Sequence, residues 1–126
     1  MGTEQKTINN KQDAVLARAE CYAHEVYALS KKLPKHELFG LTSQLRRAAL
    51  SVPLNIVEGY ARQSAKSEIQ FLKIAYGSLK ESQFILLFAR DESYLSQSDV
   101  GTTLSVGEET ARLIWSKAKS LEKKLS

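Results

Sequence analysis

Apolar residues return at spacings of three and four in four separate segments of this chain, and no segment shows the two-residue alternation of a strand. Val15, Ala19, Tyr22, Val26, Leu29 and Leu33 form the first seam. Leu41, Leu45, Ala48, Val52, Ile56 and Gly59 form the second, and Ile69, Leu72, Tyr76, Leu79, Gln83 and Leu86 the third. Leu104, Ala111, Ile114, Ala118, Leu121 and Leu125 form the fourth. Successive residues of an α-helix are turned by about 100°, so each set lies on one helical face that another helix must cover. Connections of a few residues make sequential helices antiparallel neighbours. The pattern predicts an all-α protein, an antiparallel up-down-up-down four-helix bundle.

Local signals bound the helices. Asp13 is a candidate N-cap for the first, and Pro34 is expected to end it, because the residue before a proline avoids the α region. Thr42 or Ser43 is expected to cap the second, which should stop near Arg62. Pro53 lies inside that segment. A helix-interior proline loses a hydrogen bond and crowds the carbonyl four residues back, at ~3 kcal/mol or more. The apolar spacing stays in phase across it, so a kinked second helix, bent near Ala49–Val52, is expected in place of a break. Ser64 or Ser67 opens the third helix, and Ser96 with Asp99 reads as a capping box for the fourth. Gly101, Gly107 and two adjacent threonines weaken the first half of the fourth, and Ser105 with Glu108 offers a second start. Residues 1–12 are polar and aperiodic and read as a flexible tail; residues 13–126 read as one four-helix domain.

Composition removes several function classes. One cysteine, Cys21, allows no intramolecular disulfide and no cysteine-based metal site, which fits a reducing cytoplasm. The N-terminal MGTEQKTINNKQD has no apolar core of the kind a signal peptide carries. The longest apolar run is Phe84–Ala89, far short of the ~20 residues of a membrane span. The fourth helix carries Trp115 and several lysines, and its apolar face is read as the fourth wall of the bundle, not as a membrane-binding face.

Catalytic constellations are missing as well. A di-iron carboxylate bundle needs Glu-x-x-His on two helices. Here Glu20 and His24 are four apart with no partner pair, and His36-Glu37 is not followed by the second histidine of a zinc protease. Cys21 and His24 read as a small thiol and a surface imidazole, and no Gly-x-Ser-x-Gly turn or phosphate-cradling loop is present. The chain is therefore expected to be no enzyme, with no metal and no cofactor.

What remains is surface. Gln44, Arg47, Ser51, Asn55, Glu58 and Arg62 fall within roughly 80° of one another on a helical wheel, with Ser51–Asn55 and Glu58–Arg62 one turn apart. FILLFA, Phe84–Ala89, is apolar on every side, and a helix greasy on every side is expected to be buried on every side. That points to a homo-oligomer, with Ser51, Asn55, Glu58, Phe84, Leu87 and Phe88 as candidate interface residues. Arg46, Arg47 and Arg62 on the second helix, with Lys66 and Lys73 on the third, are the candidate nucleic-acid-binding residues; the two sets could form one positive surface on a chain of net charge +4. The bland alternative pairs these cations with Glu58, Glu68 and Glu81 as solvated helix edges.

GLTSQLRRAALSVPLNIVEGYAR, residues 40–62, followed by FLKIAYGSLKES, residues 71–82, resembles the four helix bundle protein family, also called the 23S rRNA-intervening-sequence protein family. Some of its members are encoded inside insertions in bacterial 23S rRNA genes. The resemblance runs from about Val15 to Leu121 and is strongest over 39–62 and 71–81. It implies an all-α fold, a ring-like homopentamer and a role in binding nucleic acid, and it brings no catalytic residues. The expectation is a non-enzymatic, cytoplasmic, oligomeric module that binds RNA or a nucleic-acid-handling partner through a basic surface. The alternative is a homo-oligomeric protein–protein scaffold without nucleic acid.

Overall fold

The computed structural model describes residues 13–126, so the expected tail over 1–12 lies outside the described residues. Four α-helices follow one another, α1 (Ala14–Ser30), α2 (Leu41–Ala61), α3 (Ala65–Asp91) and α4 (Gln97–Leu125), with one 3₁₀ turn at Lys35–Glu37 and no strand among the described residues. Each helix packs on its neighbours in sequence, and α1 also packs on α4, which closes a four-sided bundle.

Several ends are set by side chains three residues away. Asp13 Oδ1 accepts from the Leu16 backbone N–H at 3.1 Å and starts α1. The same oxygen accepts from the Tyr60 hydroxyl, which ties the start of α1 to the end of α2. Burial, then the Asp13 carboxylate, holds that phenol well above its ordinary pKa. Ser64 accepts from Ser67 N–H at 3.1 Å and opens α3. Ser96 and Asp99 bond each other's backbone at 3.0 Å each way and open α4.

Other ends differ from expectation. α1 stops at Ser30, short of Pro34, because successive i→i+3 bonds at Lys31, Lys32 and Leu33 tighten the last turn. Leu33 still reaches the core from that turn. Neither Thr42 nor Ser43 caps α2: the N-cap is Gly40, and Thr42 is buried. The Leu41 N–H is taken by Glu37 Oε1 at 3.1 Å, a carboxylate from the preceding 3₁₀ turn at the positive end of the helix. α2 continues through the buried Pro53 as one element, and α4 does not restart at Ser105.

The core is built from Leu16, Ala19, Tyr22 and Val26 of α1, Leu45, Ala49, Val52 and Ile56 of α2, and Leu72, Ala75, Leu79 and Leu86 of α3. On α4 the inner face is Val100, Thr103, Gly107, Thr110, Ala111, Ile114 and Ala118. Leu104 and Leu121 are only half-buried, and Leu125 is exposed. The expected seam thus holds at Ala111, Ile114 and Ala118 and gives way at its leucines, because polar and small residues fill the place opposite Tyr22. Within the chain FILLFA is not buried on every side: Ile85, Leu86 and Ala89 face the core, Leu87 is half-buried, and Phe84 and Phe88 remain 68% and 45% exposed.

Cross-helix contacts record the register. Ser30 meets Arg46 while Asp13 meets Tyr60; Ser51 meets Ser78. Arg90 meets Gln97 while Lys73 meets Glu122. Lys32 meets Asp99 while Arg18 meets Glu109. In each doubly sampled pair, residue numbers rise along one helix as they fall along the other.

Candidate nucleic-acid interface

The five basic residues expected to bind nucleic acid occupy different settings. Arg46 Nε donates to Ser30 Oγ at 2.8 Å, and its guanidinium lies 5.4 Å from the Tyr27 ring centroid. It is half-buried and fastens α2 to α1. Arg47, one residue on, is exposed and has no ion-pair partner among the described residues. Arg62 Nη2 lies 2.8 Å from Glu58 Oε2, and its guanidinium sits 4.9 Å over the Phe71 ring. Lys66 is exposed in the first turn of α3. Lys73 Nζ lies 3.3 Å from Glu122 Oε2 of α4. At 1.5 Å per residue, Arg47 and Arg62 are about 22 Å apart along α2. The set therefore divides into Arg47 toward one end of the bundle and Arg62 with Lys66 around the α2–α3 connection.

The polar stripe of α2 is largely satisfied within the chain. Asn55 Nδ2 donates to the Ser51 carbonyl and to Ser51 Oγ, both at 2.8 Å, and Ser51 Oγ lies 2.8 Å from Ser78 Oγ on α3. Beside this seam, Leu50 and Leu54 of α2 and Ile74, Phe84 and Phe88 of α3 are exposed. Of the candidate interface residues, Phe84, Phe88 and Glu58 are thus open to solvent, while Ser51, Asn55 and Leu87 are half-buried.

A second constellation lies between α3 and α4. Tyr76 and Trp115 meet with ring centroids 5.5 Å apart and planes tilted by 50°. They separate two adjoining hollows of about 280 and 270 Å³. Lys73, Lys119 and Glu122 border the first; Lys80, Arg112 and Glu108 border the second. Lys119 Nζ lies 4.9 Å over the Trp115 ring and Lys80 Nζ 5.5 Å over that of Tyr76. Lys73 and Lys119 reach Glu122 at 3.3 and 3.5 Å, and Lys80 reaches Glu108 at 3.1 Å. The hydrogen bond from Lys73 holds the Glu122 carboxyl below its ordinary pKa, and that from Lys80, then Gln83, does the same for Glu108.

Trp115 is 53% exposed. With the inner face of α4 running through Thr110, Ile114 and Ala118, position 115 falls on the shoulder of the helix, beside α3. Of the five candidate nucleic-acid-binding residues, Lys73 borders this groove. The signal that could have found the rest is a shared spacing, Lys73-Tyr76-Lys80 on α3 and Arg112-Trp115-Lys119 on α4.

Among the described residues no group of three or more histidine, cysteine or carboxylate side chains could hold a metal ion, and no helix is long and apolar enough to cross a membrane. Every buried polar side-chain atom described has a hydrogen-bond partner. Cys21 is a free, half-buried thiol, 3.7 Å from Glu25 Oε2.

Comparison with solved structures finds a 1.70 Å crystal structure from Bacteroides thetaiotaomicron VPI-5482, described as a protein with unknown function from the S23 ribosomal protein family. The two share 23% identity over 84% of this chain and 99% of that one, with a TM-score of 0.78. At that identity the likeness establishes the fold alone. No curated protein matches the chain. The description of the family whose model matches names no activity. That model is the 23S rRNA-intervening sequence protein; it aligns with residues 11–122, and the chain belongs to this family.

Proposed function

We propose that this chain is a non-enzymatic, homo-oligomeric binding module that engages RNA. The register of cross-helix contacts supports an antiparallel up-down-up-down bundle, a single domain over 13–126. The observation that carries the reading is the outer face of α2 and α3. It exposes Leu50, Leu54, Ile74, Phe84 and Phe88, and Arg47 and Lys66 are exposed cations without ion-pair partners among the described residues. A second copy covering the apolar part removes it from water, and a ring of five, as the family resemblance implies, repeats the cations fivefold. Repeated weak phosphate contacts then add as avidity. Such a protein acts in the cytoplasm, where rRNA is found.

The test is a salt titration of binding to structured RNA, with protein whose solution mass has been determined. Binding that weakens steeply as salt rises supports the reading, and the slope bounds the number of phosphates neutralised. No binding at low salt refutes it.

A second reading, a protein–protein scaffold without nucleic acid, is favoured by one specific observation. Arg62 and Lys73 are already paired with carboxylates, and Arg46 is turned into the fold. Under that reading a partner protein stays bound after nuclease treatment.

A further inference from the structure

The groove between α3 and α4 has an order that solvated helix edges do not require. On each helix an aromatic residue is bracketed by cations three residues before it and four after, Lys73-Tyr76-Lys80 and Arg112-Trp115-Lys119. The bracketing cations of each helix are two turns apart, about 10 Å. Because Lys73 and Lys119 share Glu122, while Lys80 pairs with Glu108 beside Arg112, each end of the groove holds two cations against one carboxylate. The Tyr76–Trp115 pair lies in the middle, half-open to solvent.

We propose that this groove binds an unpaired stretch of nucleic acid, seating a base against Tyr76 and Trp115 and the flanking phosphates on Lys73 with Lys119 and on Lys80 with Arg112. The inference rests on the nucleic-acid reading above and names the form of nucleic acid and the residues that hold it. Exposed lysine–carboxylate pairs are weak, so a lysine loses little by turning from Glu122 or Glu108 to a phosphate. The aromatic faces select the unpaired strand: bases in a duplex are stacked on one another, whereas a splayed base can stack on a side chain. One surplus positive charge at each end matches one phosphate on either side of one base.

Trp115 is the only tryptophan in the 126 residues, so its fluorescence reports on the groove alone. The full chain is titrated with an unstructured ten-nucleotide RNA and, separately, with a ten-base-pair RNA duplex. The single strand should quench Trp115 to saturation and bind more tightly than the duplex. Trp115→Leu, followed by anisotropy of labelled RNA, should weaken the single strand roughly 5- to 150-fold, the range for one lost stacking contact, and leave duplex binding unchanged. Trp115 makes no hydrogen bond through its side chain among the described residues, so the variant should keep its helicity; Lys119→Gln, which keeps the fluorophore, should weaken both quenching and affinity. RNA that binds without quenching Trp115, and as well to Trp115→Leu as to the parent, overturns the groove while the nucleic-acid reading stands. Absence of binding to either RNA at low salt overturns both and leaves the groove to a protein partner.

Discussion

The hydroxyl of Tyr22 lies 2.6 Å from that of Ser82, a bond that crosses the bundle from α1 to α3 between helices that are not neighbours in the ring of four. Ser82 Oγ is also 2.7 Å from the Leu79 carbonyl. A carbonyl only accepts, so Ser82 donates there and Tyr22 donates to Ser82. Burial pushes the Tyr22 phenol up to about 12, so the proton stays in place across the neutral range. α4 closes over this contact at Gly107, where a Cβ would stand 2.9 Å from Tyr22 Cε1 and 2.7 Å from Gln83 Nε2.

Tyr22→Phe should therefore cost only about 0.5–1.5 kcal/mol, because Ser82 keeps its bond to Leu79 and no buried donor is orphaned. Urea unfolding of parent and variant measures it.

Gly107→Ala and Gly101→Ala should move stability in opposite directions. Both gain helix propensity, up to about 1 kcal/mol. At Gly101 the nearest atom to the new methyl is Gln97 Nε2 at 4.0 Å, so the gain is realised. At Gly107 the Gln83 amide can swing away, but the Tyr22 ring is locked in the core, and overpacking of about 1–3 kcal/mol outweighs the gain. Thermal midpoints rising for Gly101→Ala and falling for Gly107→Ala are the expected pair. A rise in both would mean that the tyrosine yields.

The seams of α1 and α2, and most of that of α3, were legible because their inner faces are written mainly in Leu, Val, Ile and Ala. The caps at Asp13, Ser64 and Ser96 were legible because each bond closes within three residues. The inner face of α4 was legible only at Ala111, Ile114 and Ala118, since Thr103, Gly107 and Thr110 owe their burial to what stands opposite. Thr103 donates to Glu25, and Thr110 to the carbonyls of Val106 and Arg18. Arg46 and Arg47 show the same limit. Adjacent helical residues point about 100° apart, and only the position of Ser30 decides which of the two is held.

Arg46→Ala should lose about 1–2 kcal/mol of stability, from the bond to Ser30 and the contact with Tyr27. Arg47→Glu should change stability by less than about 0.5 kcal/mol. On the proposed function it should lower RNA affinity and reduce the salt slope by about one for each phosphate contact removed. Denaturation and salt titration on the same two variants separate the roles.

Acid should act through Asp99. The hydrogen bond from Lys32, then the N–H and hydroxyl of Ser96, holds this carboxyl at about 2. A carboxyl depressed in the folded state stabilises fully above its unfolded pKa of about 3.9 and ceases to do so as pH falls through the folded value. The parent should exceed Asp99→Asn in thermal midpoint at pH 7, and the gap should close between about pH 4 and pH 2. A gap unchanged over that window would mean that the pairing with Lys32 contributes nothing.

Leu86→Asp and Phe84→Asp, two residues apart on α3, separate core from assembly. Leu86 is fully buried within the chain, so a carboxylate there has no water and no partner, and the variant should lose its helical signal whatever the subunit number. Phe84 is 68% exposed in the single chain. A carboxylate at that position is solvated in a monomer and costs stability only where another copy covers it. Phe84→Asp should therefore keep the far-ultraviolet spectrum of the parent while its mass by light scattering falls toward that of one chain. A folded variant of unchanged mass would remove Phe84 from the interface and leave Leu50, Leu54 and Ile74 as the apolar surface to test next.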